Sequence, residues 1–128
     1  MTCFWQGLIR GISAAEFETT MAARSKPTVA QFIKFLKDNN KYTLCCTWNG
    51  DILTAKQLYE NYDAVETYNP QTAPSGYLCS TFDPFLFLVV DLFKINIDHN
   101  YNGTLIRYRR IHNRRTMRAF SDTGHFWT

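Results

Sequence analysis

Long apolar runs are missing from this sequence. None approaches the ~18 consecutive apolar residues that a membrane-crossing helix needs, and the longest, Phe85–Val90, is stopped by Asp91. Cysteine is scarce and unpatterned: the 4 thiols fall at positions 3, 45, 46 and 79, with no Cys-x-x-Cys pair. That spacing argues against a disulfide framework and for reduced thiols. Cys45, Cys46, Cys79 and His99 are ligand types for zinc. Neighbours on a strand point to opposite faces, however, so core packing is the better reading and no metal or other cofactor is expected. The first residues lack the basic and apolar pattern of a secretory signal. With no low-complexity tract and no internal repeat, the expectation is a globular protein of the cytoplasm.

What is present suits one packed domain over residues 1–128, enough chain to bury a core and too little for two. Apolar residues make up 45% and charged residues 20%, proportions of a globular rather than a disordered chain. Aromatics reach 16%, with 10 Phe, 7 Tyr and 3 Trp, so a few large side chains should fill the core. The net charge of +3 hides an asymmetry: six arginines lie between Arg107 and Arg118, whereas Asp38 to Asp98 is acidic. Basic side chains beside Tyr108 and Phe120 have the composition of a nucleic-acid footprint. Strand alternation would instead turn Arg107 and Arg109 to solvent with Tyr108 inward, and would leave Arg114 and Arg115 on a turn. The second reading is preferred, and a nucleic-acid partner is not expected.

Periodicity orders the chain. Phe4, Leu8 and Ile12 repeat at helical spacing over Cys3–Ile12, and a further helical turn follows at Ser13–Met21. Thr28 with Gln31 forms a capping box before a helix whose apolar face holds Val29, Phe32, Ile33 and Leu36. Tyr42–Trp48 predicts a short strand and Asn49-Gly50-Asp51 a turn. Thr54–Val65 predicts another helix, and Asn69–Gly76 an exposed loop. Phe85–Phe93 is apolar nearly all round, the mark of a central buried helix, with Asp83 and Pro84 as its cap and first residue. A sheet then begins at Ile95–Asp98, turns at His99–Gly103, and continues through Thr104–Arg110, Met117–Ser121 and His125–Trp127. Helices first and a small, mostly antiparallel C-terminal sheet make the class α+β.

Two residues carry the chemistry. Cys3 heads the first helix, where the macrodipole favours a thiolate, and His125 sits in a late aromatic segment, Gly124-His125-Phe126-Trp127. A thiol nucleophile with a distant imidazole base is one meaning of this pair. A small buried hydrophobe and a surface histidine is the other. Thr2, exposed if Met1 is removed, offers an N-terminal nucleophile that nothing else in the sequence supports.

Cys3-Phe4-Trp5-Gln6-Gly7-Leu8 has a cysteine, a hydrophobe, an aromatic, any residue, a small residue and an aliphatic in that order. With Phe85–Phe93, Ile95–Asp98, Thr104–Tyr108 and His125-Phe126-Trp127 following in sequence, the chain resembles papain-fold cysteine proteases of the ovarian-tumour (OTU) deubiquitinase type, in a reduced, viral-type form. The resemblance covers most of the layout and about ten positions in identity. It implies a papain-like α+β domain of the cytoplasm, or of the host cytoplasm if viral. In it Cys3 and His125 would cleave ubiquitin or a ubiquitin-like modifier, with Trp5 and Trp127 as substrate contacts. Asp122 and Asn113 are the local candidates for orienting the imidazole. The sequence departs from the family before the cysteine, where Met1 and Thr2 replace the usual Asp-Gly-Asn. Two places after the histidine it has Trp127 instead of a polar residue, and one residue later it ends. These departures support an alternative: a catalytically inactive papain-fold domain that binds protein or nucleic acid.

Overall fold

Capping chemistry sets where most of the helices begin. A computed structural model describes residues 3–128. It contains α1 (Cys3–Gly11), α2 (Ala14–Met21), α3 (Val29–Asp38), α4 (Ala55–Thr67) and α5 (Pro84–Phe93), with a 3-10 helix over Pro70–Ser75. Ser13 with Glu16, Thr28 with Gln31 and Thr54 with Gln57 close reciprocal capping boxes at α2, α3 and α4. Each box satisfies backbone N–H groups that lack a partner inside the helix. α5 is capped by buried Asp83, whose carboxylate accepts from the Phe85 N–H at 2.9 Å. Pro84 follows, where a missing N–H costs nothing. Asp91, buried within this apolar helix, is compensated by Arg110 at 3.2 Å, Lys41 at 3.4 Å and Lys94 at 3.7 Å.

The strands are β1 (Cys46–Trp48), β2 (Asp51–Ile52), β3 (Asn96–Tyr101), β4 (Thr104–Arg110), β5 (Thr116–Ser121) and β6 (Phe126–Trp127). They form one sheet in the order β2-β1-β4-β3-β5-β6. All neighbours are antiparallel except β3 and β5, which run parallel because the β4–β5 connection passes the start of β3. Two Asn-Gly turns, at 49–50 and 102–103, close tight hairpins with positive φ at every turn residue. The helices cover one face of the sheet. β4 and β5 alternate buried and exposed residues, which leaves the other face to solvent.

The α+β expectation holds, and the α5 segment lies where its composition places it. Three local expectations differ. His99 belongs to β3 rather than to a turn, because it faces the helices opposite Ile106 and Ala119 and is wholly buried. Regular strand structure in the Tyr42–Trp48 segment is confined to β1. Asn69–Gly76 is exposed for most of its length, as expected, but it is not an irregular loop: it winds into the 3-10 helix and buries Ala73.

Candidate active site

α1 and β6 are bound to each other closely, and this brings Cys3 and His125 to one place. Gly7 leaves room for the Phe126 ring, and a Cβ there would stand 2.7 Å from Phe126 Cδ1. Phe4 packs on the same ring at a centroid distance of 4.9 Å, and the Thr128 hydroxyl donates to the Gly7 carbonyl at 2.8 Å. The neighbours of these contacts in sequence are Cys3 and His125. Both line a narrow cleft of about 30 Å³, with Tyr77, Leu78, Ser121 and Asp122. A wider groove of about 430 Å³ adjoins it over Cys3, walled by Ser75–Leu78 and Gly124. Cys3 is half-buried and His125 exposed at the end of a tight turn.

The two walls are held by different devices. On the histidine side, Asp122 Oδ1 accepts from the backbone N–H groups of Gly124 and His125, each at 3.0 Å, and the Asp122 N–H donates to the His125 carbonyl. Those donors, the Gly124 N–H first, hold the Asp122 carboxyl below its usual range, with the nearby imidazole adding to the effect. On the other side, Asp83 Oδ2 accepts from the Tyr77 hydroxyl at 2.8 Å and from the Ser80 N–H at 3.0 Å. The Asp83 N–H donates to the Tyr108 hydroxyl at 3.0 Å, tying this wall to β4. Burial pushes the Asp83 carboxyl up while its hydrogen bonds oppose that shift. Gly76, at φ 100° and ψ 165°, lets the wall turn away from the 3-10 helix in a conformation that is essentially confined to glycine.

The four thiols differ sharply in setting. Burial pushes Cys46 up to about 12 and raises Cys79 far above the ordinary thiol range, with Asp83 adding to the latter. Both favour the inert thiol form. Cys45 is exposed, and Cys3 alone stands at a helix start, where unpaired N–H groups concentrate positive potential. Among the described residues, no group of three His, Cys, Asp or Glu side chains is placed to hold a metal ion.

Several expected site residues lie elsewhere. Trp5 is not a substrate contact: it is wholly buried, with its ring against Phe85 at 4.8 Å and Phe32 at 6.2 Å. Trp127 faces away from the groove. It follows inward-pointing Phe126, so alternation carries it to the open face, stacked on Phe120 at 6.0 Å. Asn113 does not orient His125. It precedes β5 whereas His125 follows it, and its amide donates to the Asn96 side chain and the Val90 carbonyl at the far end of the sheet. Asp122 is beside His125, but its bonded oxygen is engaged by backbone. Met1 and Thr2, and with them the Thr2 alternative and the segment before the nucleophile, lie outside the described residues. The cleft-lining residues Tyr77, Leu78 and Ser121 carry no motif. The one sequence signal near them is Asp83-Pro84, the cap whose side chain anchors Tyr77.

No known protein family matches this chain, and neither a curated protein nor a solved structure is significantly similar to it. No helix among the described residues is long and apolar enough to cross a membrane.

Proposed function

We propose that the chain is a papain-like, OTU-type thiol hydrolase that cleaves ubiquitin or a ubiquitin-like modifier with Cys3 as nucleophile and His125 as base. The observation that carries this reading is the shared cleft of Cys3 and His125, built from chain ends far apart in sequence. Cys3 Sγ would attack the carbonyl after a C-terminal glycine. His125 would take the thiol proton and return it to the leaving lysine amine. N–H groups at the start of α1 would stabilise the oxyanion. The narrow cleft of about 30 Å³ shared by Cys3 and His125 supports a small residue such as glycine at the scissile bond, and the adjoining groove of about 430 Å³ would take neighbouring residues of the substrate. Ubiquitin as the modifier rests on the resemblance of Cys3–Leu8 and His125–Trp127 to the family's motifs. The test is a ubiquitin bearing an electrophilic C-terminus. It should add covalently to Cys3, fail on Cys3→Ala, and react about 100-fold more slowly with His125→Ala. Absence of an adduct at high protein concentration removes the modifier, while labelling by a peptide electrophile would keep the hydrolase.

One observation favours a second reading, a papain-type domain that binds a partner without catalysis. Among the described residues, no side chain accepts from the His125 ring, and Asp122 Oδ1 already holds two backbone N–H groups. In that case Cys3→Ala leaves partner binding intact and no electrophile distinguishes Cys3 from Cys45.

A further inference from the structure

A second cleft lies at the other end of the sheet from Cys3. It measures about 530 Å³, within the range of small-molecule sites, and sits where β3 and β5 begin. Its floor includes Phe35 and Leu92, and Thr19 and Thr20 add hydroxyls to one side. Lys94, His112 and Arg114 also line it; no Asp or Glu is among the described lining residues, and the Asp91 carboxylate stands 3.7 Å from the Lys94 ammonium. Three basic residues lining one cleft with Phe35 and Leu92 form an environment for an anion with a flat apolar portion.

The backbone adds an independent observation. Five non-glycine residues among those described have positive φ: Ala22, Asn49, Lys94, Asn102 and His112. Asn49 and Asn102 each precede a glycine in a hairpin turn, a place where left-handed asparagine is common. Lys94 (φ 57°) is the left-handed C-cap of α5 and His112 (φ 71°) the third residue of a turn closed by the Asn113 N–H on the Arg110 carbonyl, two places that glycine would fill with less strain. Both nevertheless present basic side chains to this one cleft. Lys94 is held by its ammonium donating to the Asp91 carbonyl at 2.7 Å. Arg114 gives one N–H to the Phe93 carbonyl at 3.3 Å, which fixes its guanidinium and leaves other donors of the fork for a ligand. The turn fixes the His112 backbone, while its side chain has no hydrogen bond or ion pair to another described residue and is left for a ligand.

We propose that this cleft binds a small phosphate ester of mononucleotide size, with the phosphate between Arg114, His112 and Lys94 and the flat apolar group over Phe35 and Leu92. Arginine favours phosphate through paired donors, and the apolar floor favours an ester over the free ion. The site is separate from the Cys3 groove and does not depend on hydrolase chemistry.

Titration of the isotope-labelled full chain with adenosine monophosphate, followed by amide chemical shifts, tests this. Saturating shifts should appear at Phe35, Leu92, Lys94, His112 and Arg114, and inorganic phosphate and adenosine should each bind about tenfold more weakly. Affinity should fall between about 50 and about 200 mM salt as the charges are screened. His112→Gly relieves the left-handed strain, so its Tm should equal or exceed that of the parent while affinity drops about fivefold or more. Arg114→Gln should lose at least as much affinity. No saturating shift at these amides by about 5 mM ligand overturns the proposal. So does binding that survives both substitutions, or a dicarboxylate that binds as tightly as the phosphate ester.

Discussion

His99 and Glu16 make the protein acid-sensitive in two successive windows that meet near pH 4. His99 is wholly buried, with Nε2 hydrogen-bonded to the Ser121 hydroxyl and Nδ1 without a partner. Burial lowers its pKa from the ordinary 6.5 to about 4. Between those values the unfolded chain binds the proton more readily, so folding stability falls as pH drops from about 6.5 to about 4, by up to about 3 kcal/mol. Glu16 works lower on the scale. Arg115 donates to it at 2.6 and 2.8 Å and holds its carboxyl at about 2, below the ordinary 4.5. That contribution is complete above about 4.5 and is lost as pH falls towards 2. Since Arg115 is partly exposed, it is discounted to about 2 kcal/mol. Urea titrations at stepped pH should show His99→Gln flattening the upper window and Arg115→Gln the lower one. Equal pH slopes in parent and variants would remove both assignments.

Between elements, the α1–β6 contact decides whether a site exists. A methyl group at Gly7 meets the Phe126 ring, which is itself enclosed by Phe4. Gly7→Ala should therefore cost about 1–2 kcal/mol net, because overpacking outweighs the gain in helix propensity. It should also slow Cys3 labelling under conditions where the protein stays folded. Gly11→Ala meets the buried Met117 thioether and the Thr128 side chain and should cost a similar amount, about 1–2 kcal/mol. Thr54→Ala, which removes the α4 capping box, should cost about 1 kcal/mol and leave labelling unchanged. These contrasts follow what was legible in the sequence. Capping boxes, Asn-Gly turns and the apolar run of α5 are local signals, and the structure contains them. The parallel β3–β5 pair, the inward turn of His99 and the burial of Trp5 depend on partners far along the chain. So does the misplacement of Asn113: nearness in sequence to His125 meant nothing once β5 intervened. That Cys3 and His125 line one cleft was readable in outline, from a cysteine at a helix start and a histidine in a late strand segment. The Tyr77–Leu78 wall was not.

At the scale of the molecule, one face of the sheet is covered and the other is open, and the arginine cluster spans both. Arg109 pairs with Asp98 in a bidentate contact at 2.8 Å, Arg110 with Asp91 and Arg115 with Glu16, while Arg114 holds the Phe93 carbonyl. Much of this charge is thus internal and forms no continuous stripe along which a phosphate backbone could run. Long single- or double-stranded nucleic acid should bind weakly even at about 50 mM salt. Micromolar affinity at physiological salt, lost in the Arg107→Ala, Arg118→Ala double variant, would show that the open face is a nucleic-acid platform instead.

The central claim, that Cys3 and His125 act as a pair, is tested most directly by the protein's own thiols. Exposed Cys45 is the internal standard and buried Cys46 the inert control. Alkylation by iodoacetamide near neutral pH, read site by site by mass spectrometry, measures all of them in one sample. If the pair works, half-buried Cys3 reacts about tenfold or more faster than Cys45, despite its lesser exposure, and His125→Ala brings it to the rate of Cys45 or below. A Cys3 that reacts more slowly than Cys45 and is indifferent to His125→Ala would contradict the account.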